Sequence, residues 1–97
     1  MVILLKQKIV AFSKLNPGAA KALNSWYKII KEANWESMND IRKSFNSADY
    51  VGNDRYVFNI KGNRYRLVAM FFFDVRTVYI RFIGNHVEYD RINCSTV

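Results

Sequence analysis

Ninety-seven residues, 51% of them hydrophobic, suffice for one modest core and are too few for two, and an apolar fraction of that size excludes a disordered chain. The formal charge is +7, from 15 Lys and Arg against 8 Asp and Glu, which favours a polyanionic partner such as nucleic acid, with a membrane surface or an acidic protein as alternatives. A single cysteine, Cys94, excludes an internal disulfide and cannot by itself build a metal site, so a reducing cytoplasm is the expected setting.

Met1 to Leu5 is apolar but is followed by Lys6 and Lys8, too short for an export signal or a membrane span, and is expected as an edge strand. Ile9 and Phe12 fall at helical spacing among lysines over residues 6–15. Asn16-Pro17 then offers an N-cap and a first-turn proline for a longer helix running to about Asn34, with Ala20, Leu23, Tyr27 and Ile30 as its apolar stripe. Trp26 and Trp35 are expected as core packing rather than base-stacking platforms, because large aromatics dominate small cores. Ser37 with Asp40 resembles a capping box for a short third helix carrying Ile41 and Phe45, and residues 46–54 are expected as a polar connection.

The stretch from Arg55 to Asp90 organises the rest. Gly62-Asn63 lies between Tyr56–Ile60 and Tyr65–Ala69, a hairpin signal that sets Ile60 opposite Tyr65, Asn59 opposite Arg66 and Phe58 opposite Leu67. One face then holds Tyr56, Phe58, Ile60, Tyr65, Leu67, Ala69, Phe71 and Phe73 and carries no charge. The other becomes basic toward the turn, through Asn59, Lys61, Arg64 and Arg66. A third run, Arg76 to Ile83, places Val78, Ile80 and Phe82 on the core face and sends Thr77, Tyr79, Arg81 and Ile83 to the other, where Arg81 joins Arg66. His86, the only histidine, follows directly, and the tail after Ile92 has no anchor of its own. The expected architecture is a single α+β domain over residues 1–97: an antiparallel-dominated sheet with the N-terminal helices on one face and the opposite face partly open.

Arginine and lysine are unevenly divided. Residues 1–50 hold seven Lys and only Arg42, whereas residues 51–97 hold six Arg and only Lys61. The planar guanidinium is the better phosphate clamp, which draws attention to the second half. Arg64 and Arg66 on a strand are commonly a solvated edge, and a lone histidine after a strand is more often a hydrogen-bonded turn residue than a catalyst. Convergence of Arg66 and Arg81 on His86 would raise the catalytic reading. Arg55, Arg76 and Arg91 are expected as plain surface charge.

The order of elements, with Val57 to Met70, the Trp26-Tyr27 helix, Ala33-Asn34-Trp35, Ile80-Arg81, His86 and Glu88-Tyr89-Asp90, resembles the HigB-type toxins of the RelE/ParE superfamily of toxin-antitoxin systems. That resemblance implies a RelE-like, microbial-RNase-like fold, cleavage of mRNA in the ribosomal A site, and neutralisation by a HigA-type helix-turn-helix antitoxin. It also maps the family's basic and terminal positions onto Lys61, Arg64, Arg66, Arg81, His86 and Tyr89.

The implied reaction is transesterification by the ribose 2′-OH, which needs a base, an acid and positive charge at the phosphoryl oxygens, and no metal or cofactor. Arg66 and Arg81 are the expected clamp and His86 the acid or base, since imidazole changes charge near neutrality. Tyr89 is expected to orient the phosphate, exchange a proton or stack on a base, and Glu88 or Asp90 to orient His86 or act as base. Lys61 and Arg64 would hold flanking phosphates. Two other functions fit the same composition: a non-catalytic inhibitor on this fold, as ParE-type relatives target gyrase, and a passive RNA-binding module.

Overall fold

The computed structural model describes all residues, 1–97. Strand β1 (Val2–Leu4) leads into helix α1 (Gln7–Leu15), a 3-10 turn (Pro17–Ala19), α2 (Ala20–Glu32) and α3 (Met38–Ser44). Strands β2 (Asp49–Gly52), β3 (Arg55–Ile60), β4 (Tyr65–Phe72) and β5 (Thr77–Asn85) follow, and helix α4 (His86–Asp90) comes last. The five strands form one sheet in the order β1-β5-β4-β3-β2. Every pairing is antiparallel except β1 with β5, where Val2 lies beside Thr77 and Leu4 beside Tyr79. This is an α+β fold with a mostly antiparallel sheet, and no helix is long and apolar enough to cross a membrane.

The β3–β4 hairpin has the expected register, with Ile60 opposite Tyr65 and Asn59 opposite Arg66. Its turn closes with the Arg64 N–H donating to the Lys61 carbonyl at 3.3 Å, and Gly62 takes the positive φ of 65° that a non-glycine residue adopts only at a cost. On the helical side of the sheet, Tyr56, Phe58, Ile60, Leu67, Ala69 and Phe71 are buried against Ile9, Leu23, Trp26, Ile30 and Ile41. Phe58 sits at the centre, edge-on to Trp26 at 5.4 Å and to Phe45 at 5.2 Å between ring centroids. Such pairs add about 0.5–1.5 kcal/mol each to what burial alone supplies. Both tryptophans are buried, as their size dictates.

Strand β5 departs from simple alternation. Val78 and Ile80 face the core, but Ala69 pairs with Ile80 and Val68 with Phe82, so Arg81 is one residue too many for its partner strand. This bulge reverses the alternation beyond it. Phe82 therefore pairs with Val68 on the non-helical face, and Ile83, opposite Leu67, packs against the core, the reverse of what periodicity predicts.

Five further expectations need correction. Residues 49–52 form strand β2 rather than loop, because Asp49 and Tyr50 pair with Val57 and Tyr56. The Asn16 side chain donates backwards to the Phe12 carbonyl at 3.3 Å, closing α1 rather than capping the next helix. Ser37 makes no side-chain cap, and Asp40 instead accepts the Glu36 N–H at 2.9 Å. The tail is anchored: Asn53 Nδ2 donates to the Ser95 carbonyl at 2.8 Å and Arg55 Nε to an oxygen of Val97 at 2.8 Å. With α4 and this tail lying over it, the non-helical face buries Val57 and Val68. Arg76 is likewise no idle surface charge, since Nη1 donates to the Trp35 carbonyl at 2.7 Å and Nη2 to the Asn34 side-chain oxygen.

Phe58→Ala should lower unfolding free energy by about 3–5 kcal/mol, whereas Val87→Ala, on the exposed side of α4, should change it by less than about 0.5 kcal/mol. Urea denaturation of the two variants measures both.

Candidate functional site

The turn between β3 and β4 presents the Asn63 carbonyl to a guanidinium and an imidazole. Arg66 Nη1 donates to it at 3.3 Å, and His86 Nε2 hydrogen-bonds to the same oxygen. A carbonyl only accepts, so Nε2 carries the hydrogen, and in the neutral ring the free lone pair is on Nδ1. His86 is exposed, as is Asn63, while Arg66 is half-buried on the non-helical face. Local chemistry fixes the ring's position. Asn85 ends β5 and caps α4: its side-chain oxygen accepts the Glu88 N–H at 2.9 Å, while Glu88 Oε1 accepts the Asn85 N–H at 2.9 Å. This capping box starts the helix at His86, directly across from Asn63.

Tyr89 lies one turn along α4, with its ring 6.5 Å from that of Phe82. Burial pushes its phenol from 10.0 up to about 12; the neighbouring Cys94 thiol adds to the rise, against the opposing pull of the Arg66 guanidinium. The hydroxyl is therefore neutral throughout the physiological range and cannot serve as a base there. Beneath α4, Gly84 has no room for a side chain, because a Cβ would come within 2.5 Å of the Phe82 ring and 3.0 Å of Glu88 Cβ. The bulge that turned Phe82 onto this face thus also fixes how closely α4 approaches the sheet.

Arg66, His86 and Tyr89 are brought together, but Arg81 is not at the imidazole. Arg66 pairs with Gly84, and Arg81 precedes Gly84 by three residues, about 10 Å along the strand. Its Nε donates to an oxygen of Val97 at 3.3 Å. Glu88 is engaged in its cap rather than with His86, and Asp90, exposed at the end of α4, holds no partner. Lys61 leans the other way, with Nζ over Gly18 beside Lys21 and Ser25 on the helical layer. Arg64 is exposed and its side chain makes no hydrogen bond or ion pair. No group of three or more His, Cys, Asp and Glu side chains gathers in metal-binding geometry.

Sequence periodicity missed Phe82 as the ring beneath Tyr89, because one inserted residue inverts the faces, and it missed Cys94 because the tail carries no periodic signal. The Asn63 carbonyl has no side-chain signature at all. Gly84→Ala should cost about 1–3 kcal/mol through overpacking and displace α4, readable as lower thermal stability. Because Tyr89 holds its proton more tightly when folded, its contribution to stability is complete below pH 10 and is lost as pH rises toward about 12. Denaturation between pH 9 and 12 should show that loss, flattened in Tyr89→Phe.

The HigB_toxin profile, the RelE-like toxic component of a toxin-antitoxin system, matches residues 19–92. An mRNA interferase HigB from Escherichia coli O6:H1 (strain CFT073) is 31% identical over 94 residues, which cover 95% of this chain and 91% of that protein. The mRNA interferase toxin HigB of Escherichia coli K12 is 42% identical over 55 residues, 57% of this chain and 52% of that protein, and the Shigella flexneri mRNA interferase HigB aligns to the same extent. The profile spans most of the chain, including the hairpin, the bulged strand and α4, and one relative matches nearly end to end. On these grounds the chain belongs to the HigB family of RelE-like toxins.

Proposed function

We propose that this chain, acting as one toxin domain in the cytoplasm, is a ribosome-dependent mRNA endoribonuclease neutralised by a HigA-type antitoxin. The observation that carries the reading is the shared Asn63 carbonyl, which holds an exposed imidazole and a guanidinium side by side. Such a pair supplies proton transfer and phosphoryl charge neutralisation at one point. The names of the relatives, mRNA interferases, support the same substrate class.

In this mechanism the Asn63 carbonyl retains the hydrogen on His86 Nε2, and Nδ1 accepts the proton of a ribose 2′-OH. The 2′-oxygen bonds to the adjacent phosphorus, the P–O5′ bond breaks, and the departing 5′-oxygen takes a proton from solvent at this exposed site. The products are a 2′,3′-cyclic phosphate and a free 5′-OH. Arg66 takes the developing charge on the phosphoryl oxygens. Tyr89, protonated across the working range, orients the phosphate, stacks on a base or donates a proton, and does not act as the base. Arg81 adds positive charge further along the same face, and Arg64 and Lys61 engage flanking phosphates, contributing salt-sensitive affinity. Glu88 acts indirectly by starting α4 at His86. Nothing in this chemistry calls for a metal.

His86→Ala and Arg66→Ala should each reduce cleavage by at least about a hundredfold while leaving the thermal unfolding curve in place. Primer extension on cellular RNA after brief expression, beside a plasmid supercoiling assay, measures this. Discrete mRNA ends with normal supercoiling are expected from the wild type. Altered supercoiling without cleavage would instead mark a gyrase-directed inhibitor.

A further inference from the structure

On the non-helical face, β4 presents Arg66 between two cross-strand neighbours, with Gly84 opposite it on β5 and Asn59 opposite it on β3. His86 stands on the β5 side, just beyond Gly84. The other side belongs to Asn59, whose side chain shares the face of Arg66 about 5 Å away, the usual spacing of directly paired residues. Asparagine is disfavoured in strands, and here it interrupts the apolar run of Val57, Phe58 and Ile60. In return it makes one long hydrogen bond, from Nδ2 to Ser47 Oγ at 3.3 Å. Its second amide hydrogen and its Oδ1 acceptor have no partner in the protein. Both atoms are open to solvent, because the buried side-chain polar atoms left without a partner are Ser13 Oγ and Trp26 Nε1. The Tyr89 phenol feels both the Arg66 guanidinium and the Asp49 carboxylate, which stand on the strands either side of β3, so its ring overhangs this part of the sheet. A half-buried amide thus faces outward beside the reacting centre, next to an aromatic ring.

We propose that Asn59 is a base-reading residue, which hydrogen-bonds the edge of the nucleotide on the 3′ side of the cut and so selects where this chain cleaves. The role rests on the nuclease reading above and adds sequence selectivity to it. In that reaction the ribose that gives up its 2′-OH proton lies at His86, on the β5 side of Arg66. The nucleotide carrying the departing 5′-oxygen then extends across Arg66 to the β3 side, where Asn59 stands. The edge of a nucleobase sets donors beside acceptors, and an amide with one hydrogen and one oxygen free meets such an edge with both. Ser47 orients the amide before the base arrives, which spares part of the entropy of ordering it. Arg66 engages any phosphate alike, so selectivity falls to its neighbour.

The bases around each cut report this role directly. RNA ends are sequenced from cells briefly expressing the wild type or a variant, and base frequencies at the first nucleotide 3′ of the cut are compared with those of the translated messages. The wild type should show a bias of about tenfold there, the discrimination of one good two-bond contact. Asn59→Ala should flatten the bias to about twofold or less while cutting continues. Asn59→Asp offers two acceptors and no donor, and should move the preference toward guanine, whose ring N–H and amino group are adjacent donors. Ser47→Ala should keep the wild-type preference but weaken it. If Asn59 only tied β3 to the segment before β2, its loss would lower cutting at all sequences alike and leave the bias in place. That pattern, or a wild type without bias at that nucleotide, overturns the base-reading role and leaves the nuclease reading standing. A wild type that produces no discrete mRNA ends overturns both. Should neither Asn59 variant fold, as judged by thermal unfolding, Ser47→Ala decides alone, and a bias it leaves unchanged counts against the proposal.

Discussion

Opposite Ala69, strand β5 uses two residues where β4 uses one, and the direction of every later side chain in the strand follows from that insertion. Ile83 is turned into the core and Phe82 out beneath Tyr89. The Phe82 ring then occupies the space over Gly84, where even a methyl group would collide. Helix α4 can settle only at the height these contacts allow, and that height brings His86 to the Asn63 carbonyl. Remove the extra residue and the sheet would still form, but α4 would meet a different surface. Bulges commonly re-aim side chains in this way beside functional sites.

The charge distribution acquires a physical sense from the same geometry. Arg55, Arg66 and Arg81 converge on the face away from the helices, where Arg66 donates to the Asn63 carbonyl and Arg55 and Arg81 to one oxygen of Val97. The Asn63 carbonyl orients the Arg66 guanidinium without neutralising it, so that charge stays open to an incoming anion. Lys6, Lys8, Lys14, Lys21, Lys28 and Lys31 lie exposed on the helical layer and form no ion pairs. Lys6 and Lys31 approach the Tyr27 ring, at 4.5 and 5.8 Å from its centroid. Arginine thus serves where direction matters and lysine where charge alone suffices.

The sheet's core face was legible because its signals are strong and redundant. Gly62-Asn63 determines the hairpin register, and alternation does the rest from Tyr56 through Phe71. The long helix was legible for the same reason, though its buried stripe runs through Ala19, Leu23, Trp26 and Ile30 rather than through Ala20 and Tyr27. The end of β5 was not, since a period of two has no means of announcing an added residue. Strand β2 was hidden because an edge strand pairs on one side and needs little apolar content. At the site, residue types were readable but partnerships were not. The sequence offered Arg66, His86 and Tyr89 as candidates, whereas the oxygen that gathers two of them belongs to the backbone, and Arg55 looks in the sequence like any other surface charge.

The parallel pairing of β1 with β5 joins Val2 to Thr77 across the whole intervening helical layer and strands β2 to β4. During synthesis β1 is made well before β5, its neighbour in the sheet, and the helices made in between carry Leu23, Trp26 and Ile30 with no sheet yet to bury them. Closure of so long a loop is entropically late, which makes the sheet's final edge a slow step in folding. Until β5 is in place, the helical layer has no complete sheet to cover and the face bearing Arg66 and His86 is not assembled.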